Sequence, residues 1–156
     1  MNKKILLIFY GILFANICLG QTVFNTEKND ETNIYRNALT IYCNSLDKTK
    51  IKTVYVEPNY LITDNLPKRL GEVEIQFPDL NELKKLIKEN GGHLTLVRII
   101  PLKVNQSDFF INVIPFYTTY KKNNFKLGNG GGLTIHYKFD TNLNGLIYEK
   151  HKFSGI

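Results

Sequence analysis

Two histidines, two carboxylates and a lysine are spaced near the C-terminus so that a hairpin could bring them together: His136, Lys138 and Asp140, then Glu149 and His151. Imidazole and carboxylate are the ligands of many divalent metal sites, and the same pair can move a proton. Leu133, Ile135, Tyr137 and Phe139 alternate with Thr134, His136, Lys138 and Asp140, the period of a strand with one buried and one wet face. Asn144-Gly145 accepts positive φ at both centres of a tight reversal, and residues 146–153 return as the partner strand. A two-residue turn there pairs Leu143 with Leu146 and sets Asp140 opposite Glu149, Lys138 opposite His151 and His136 opposite Phe153. His136, His151 and the two carboxylates then share a face. Two features argue against a metal: the histidines lie diagonally, and the Lys138 ammonium repels a cation. A solvated sheet face with cross-strand charge pairs accounts for the same residues. A turn of different length would carry Glu149 and His151 to the other face.

A second group is aromatic and basic. Phe109, Phe110, Phe116, Tyr117, Tyr120 and Phe125 run beside Lys121, Lys122 and Lys126. Core packing explains most of the rings, since Phe109, Ile111 and Val113 fall on one side of a strand and Phe110, Ile114 and Phe116 on the other. Tyr117 and Tyr120 stand where that strand emerges, and they are the candidates for a pocket rim that would suit a sugar, a lipid or a peptide. The glycine run Gly128-Asn129-Gly130-Gly131-Gly132 lacks the Lys-Ser/Thr of a phosphate loop and leads into a strand, so it reads as a flexible connection. Cys43 falls inside a helical pattern and reads as a buried thiol rather than a nucleophile. No nucleophile elbow, HExxH, paired CxxC or dinucleotide fingerprint occurs. The sequence therefore names no reaction and implies no cofactor, and a non-enzymatic role is the leading expectation.

The elements that must position these residues follow from periodicity. Ile34, Ala38, Ile41, Tyr42 and Leu46 recur at helical spacing, which predicts a helix over 30–46 with Asp30 at its cap. Residues 53–56 are a short β-prone run stopped by Pro58, expected at a sheet edge. Val73, Ile75 and Phe77 alternate inward. Asp79 with Glu82 forms a capping box for a second helix bearing Leu80, Leu83, Leu86 and Ile87, ended by Asn90-Gly91-Gly92. Segments 93–104, 109–120, 133–140 and 146–153 make a four-strand meander. The expected fold is α+β: one domain, two helices packed on one face of a mainly antiparallel curved sheet, with cystatin-like or NTF2-like architecture among the possibilities.

Residues 1–20 pair Lys3-Lys4 with the apolar run 5–17, the layout of a secretory signal cleaved after Gly20, and that run is too short for a permanent bilayer span. Bulky Ile17 before Cys18 argues against lipid attachment. The product is expected to be exported, periplasmic or secreted, with residues 21–29 as a loose leader. Formal net charge is +6, two of the positive charges being Lys3 and Lys4, and the rest of the excess is carried mostly by lysine. Lysine suits bidentate phosphate recognition poorly, and export separates the chain from nucleic acid, so a nucleic-acid partner is not expected.

The Lys- and Asn-rich texture, Asn65-Leu66-Pro67, the Gly130-Gly131-Gly132 entry to a Tyr-containing strand and the Ser154-Gly155-Ile156 ending resemble uncharacterised small exported proteins of Bacteroidota. That resemblance implies an envelope location and one compact domain, and it brings no functional residue. The function expected is a non-catalytic binding or interaction module of the bacterial envelope, taking a small ligand or an envelope protein. The alternative is a small envelope enzyme or metal-binding protein using the polar face of the last hairpin.

Overall fold

A nine-stranded mixed sheet forms the body of the protein, in the order β2 (Arg69–Leu70), β3 (Val73–Gln76), β1 (Thr53–Val56), β4 (His93–Ile99), β6 (Asp108–Lys121), β8 (Gly131–Asp140) and β9 (Gly145–Gly155), with β5 (Lys103–Asn105) and β7 (Asn124–Asn129) added along β6. The computed structural model describes residues 32–155. The signal segment, Cys18, the leader and the Asp30 cap lie outside them. The first described helix, α1 (Ile34–Ser45), is capped by Asn33, whose side-chain oxygen accepts from the amides of Tyr35 and Arg36 at 3.0 and 3.2 Å.

β1 (Thr53–Val56) is interior, not an edge: it pairs parallel with both β3 (Val73–Gln76) and β4 (His93–Ile99). Pro58 stops this strand but lies outside it, so both of its sides stay free for pairing. The two-residue β2 (Arg69–Leu70) takes the edge instead. Between β3 and β4 the chain passes through α2 (Leu80–Glu89), closed at its start by the Asp79–Glu82 capping box and at its end by Gly91 and Gly92, both at positive φ.

The meander has the expected spatial order β4-β6-β8-β9, with extra pieces. Ile100 and Pro101 break the first segment into β4 and β5 (Lys103–Asn105). β6 (Asp108–Lys121) is the spine, pairing with β4 and β5 along one side and with β7 (Asn124–Asn129) and β8 (Gly131–Asp140) along the other. Between β6 and β7, Lys122 and Asn123 both hold positive φ in a two-residue turn. β9 (Gly145–Gly155) closes the order.

The helices lie on opposite faces, which corrects the expectation of a single covered face. Ala38, Leu39, Tyr42 and Cys43 of α1 pack with Val54, Val56, Ile75, Val97, Ile99, Ile111, Val113, Leu133 and Ile135. Leu83 and Ile87 of α2 pack with Leu94 and Leu96 on the other side, with Tyr55, Tyr120 and Phe125 around them. Parallel pairing of β3 with β1 and β1 with β4 requires long crossovers, and these hold both faces of that half of the sheet. Because α2 reaches only the β1–β4 half and the β6–β7 end, the same face of β6, β8 and β9 carries no helix among the described residues.

Candidate functional site

The last hairpin does not close as a two-residue turn. Asp140 pairs with Gly145 across a four-residue loop, in which the Asp140 carboxylate accepts from the amides of Asn142 and Leu143 at 2.8 and 3.0 Å. Asn144 does hold positive φ, but as the last residue of that loop. Lys138 pairs with Ile147 and Tyr137 with Tyr148, and a bulge then shifts the register so that His136 pairs with Lys150, Ile135 with His151 and Leu133 with Phe153. Leu143 is left exposed rather than paired with Leu146. The predicted cluster is therefore split: His136 and Lys138 are on the bare face, His151 is on the opposite side, and Glu149 is the extra residue of the bulge beside Lys150. Among the described residues no three His, Cys, Asp or Glu side chains meet where they could hold a metal ion.

What His136 finds instead is Asp108, at the start of β6, with Nδ1 and Oδ1 3.0 Å apart. Pairing of Phe110 with His136 sets the Phe110 ring 6.0 Å from the imidazole. Next along the same face, the Thr134 hydroxyl donates to Asn112 Oδ1 at 2.8 Å. An open depression of about 350 Å³ begins there, bounded by Asn112, Ile114, Thr134, Gly132 and Ser154. Gly132 lies at its floor, where a Cβ would stand 3.1 Å from the Val113 carbonyl oxygen, a tight contact.

Cross-strand register fixes the charge of this face. Lys103 pairs with Phe110, His136 with Lys150 and Thr134 with Lys152, so Lys103, Lys138, Lys150 and Lys152 share it with His136, while Asp108 is the carboxylate at its centre and Asp140 stands at its loop end. Its margin toward β1 is formed by Arg98, which donates through Nε and Nη2 to both oxygens of Glu57 and lies 4.9 Å over the Phe116 ring. The bonds to Glu57 push the ionisation of the guanidinium up, with partial burial opposing. Sequence reasoning passed over Asp108, Arg98, Glu57, Lys103, Lys150 and Lys152. Their grouping depends on which residues of β4, β5, β6, β8 and β9 lie opposite one another, with Glu57 brought in from the end of β1, and no local pattern encodes that.

Tyr117 and Tyr120 do not form a common rim, because a separation of three residues puts them on opposite faces of β6. Tyr117 is 55% exposed and stacks on His93 at 5.1 Å, on the α1 side. Tyr120 packs at 4.8 Å against Phe125, with Lys84 Nζ of α2 5.2 Å from its ring centre. Cys43 is buried as expected, and burial pushes its thiol up to about 11.

Among the described residues no helix is long and apolar enough to cross a membrane. Comparison with protein-family models, with curated proteins and with solved structures gives no match to the chain.

Proposed function

We propose that this protein is a non-catalytic binding module exported to the bacterial envelope, and that its bare face on β6, β8 and β9 receives an anionic ligand. The signal-like start of the sequence supports export. The observation that carries the binding reading is the contrast of the two faces: α1 covers one, whereas the other presents four lysines and His136 around Phe110, Asn112 and Thr134. An anion on this face gains attraction from several ammonium groups, and Phe110 offers a flat apolar surface beside polar donors. His136 is held by Asp108 through Nδ1, so its other ring nitrogen donates to such a ligand when the ring is protonated and accepts from it when the ring is neutral.

Calorimetric titration with oligogalacturonate and with inorganic pyrophosphate tests the reading. Binding to at least one of them is expected, weakened about tenfold or more in the double variant Lys103→Glu, Lys138→Glu, since two attractive contacts become repulsive. Absence of binding to both probes, or equal binding by the variant, overturns it.

One observation favours the enzymatic alternative: His136 is a partly buried imidazole oriented by a carboxylate, the arrangement of a general base. In that case turnover of an ester or glycoside in a broad substrate screen would be abolished by both His136→Ala and Asp108→Asn.

A further inference from the structure

The sheet ends at β9, and no described strand pairs with its outer side along Gly145–Gly155. An antiparallel strand directs alternate amides and carbonyls outward, so this edge offers unpaired donors and acceptors to any extended chain that lies beside it. The other end of the order, β2, has only two residues. The bulge at Glu149 interrupts regular pairing, leaving residues 150–155 as the uniform stretch.

The two sides of that stretch differ in chemistry. On the α1 side an aromatic row runs outward from the edge of α1: Tyr148, which shares a depression with Ile34 and Asn37, is 43% exposed, Phe153 is 57% exposed, and His151 stands between them. These rings are mutually fixed, with the Tyr148 hydroxyl 2.8 Å from His151 Nδ1 and Phe153 edge-on to the imidazole at 5.8 Å. On the other side stand Lys150 and Lys152, with Lys138 behind them on β8 and the acid Glu149 3.9 Å from Lys150 Nζ. A strand added here meets apolar rings on one of its faces and ammonium groups on the other.

We propose that β9 docks, by strand addition, an extended segment of a partner protein in which acidic and apolar residues alternate. Acidic side chains would face Lys150 and Lys152, and apolar ones would face His151 and Phe153. Main-chain pairing supplies affinity in such complexes and the alternating side chains supply selectivity. A second copy of this chain fits the centre of this stretch poorly, because antiparallel pairing of two β9 strands centred on His151 sets Lys150 of each copy against Lys152 of the other.

The test uses three blocked octapeptides: four Val-Glu repeats, four Val-Lys repeats, and a block peptide of four valines followed by four glutamates. With the purified protein, the Val-Glu peptide is expected to bind and to slow amide hydrogen exchange in residues 150–155, and the block peptide to bind at least about fivefold more weakly. In the double variant Lys150→Glu, Lys152→Glu the preference should reverse toward the Val-Lys peptide. Circular dichroism checks that this surface variant keeps its fold. Equal affinity for the alternating and block peptides would reduce the effect to net charge and overturn the proposal. Unchanged exchange in 150–155, or self-association in sedimentation abolished by the same variant, would also overturn it. Lys103 and Lys138 variants leave this edge in place, so failure here is separable from failure of the face proposed above.

Discussion

His136 shows how one side chain's role follows from its cross-strand neighbour. Opposite Lys150 and next to Asp108, it is drawn to the carboxylate and cannot join His151. The pair is partly exposed, so Asp108→Asn should cost no more than about 1 kcal/mol in urea unfolding while weakening anion binding through a freer imidazole. The buried acids of α1 behave differently. Burial pushes the Cys43 thiol from 9.0 up to about 11, with Lys48 pulling slightly the other way. Burial also pushes the Tyr42 hydroxyl from 10.0 up to about 12, helped by Cys43. In the unfolded chain both groups ionise at their ordinary values, so the unfolded state releases protons first as pH rises. The stability tied to their neutral forms is intact below about pH 9 and is lost as pH climbs through 11 to 12. Unfolding midpoints should fall across that window, less steeply in Cys43→Ala after allowance for its lower stability at pH 7. A flat profile from pH 9 to 11 would contradict the burial of both groups.

At the level of elements, the glycine corner between β7 and β8 is the most demanding join. Gly131 holds φ at +119°, and a Cβ there would lie 2.3 Å from the Ser154 carbonyl oxygen, whereas one on Gly130 meets nothing within 4 Å. Gly131→Ala should therefore destabilise the protein by about 2–4 kcal/mol and Gly130→Ala by less than about 0.5 kcal/mol, compared by urea unfolding. Asp79→Ala, which opens the capping box of α2, should cost about 1 kcal/mol. Both features were visible in the sequence to different depths. The capping box and its closing glycines are local, so Asp79, Glu82, Gly91 and Gly92 could be read directly. The strict alternation of Leu133, Ile135 and Tyr137 likewise identifies the buried side of β8, but Phe139, the fourth member of that series, is exposed at the strand's end. β7 is too short to read as a strand from its pattern, because Phe125 and Leu127 alternate only once before Gly128 and Asn129, and pairing with β6 is what makes it one. The edge assignment of β1 failed because its two parallel partners are distant in sequence. The hairpin register failed because residues 146–153 carry Tyr148, His151 and Phe153 on an exposed edge, so burial leaves no period there to count.

At the scale of the whole molecule, two helices on opposite faces cover unequal parts of one sheet. α1 spans most of its side, and α2 leaves the β6-β8-β9 half bare. Lysines collect on that bare half, so the excess of positive charge has a direction. Attraction to a multivalent anion should weaken steeply between low and physiological salt, because ammonium groups in solvent are screened over about 8 Å at 0.15 M ionic strength. The most direct measurement is amide NMR of the isotopically labelled protein titrated with oligogalacturonate, beside a neutral maltooligosaccharide of equal length. Shift changes confined to Phe110, Asn112, Thr134, His136 and their cross-strand neighbours, seen with the anionic sugar alone and lost in the Lys103→Glu, Lys138→Glu variant, are the result expected. Changes centred on the α1 side, spread evenly over every lysine, or equal for the neutral sugar would contradict a binding face built on β6, β8 and β9.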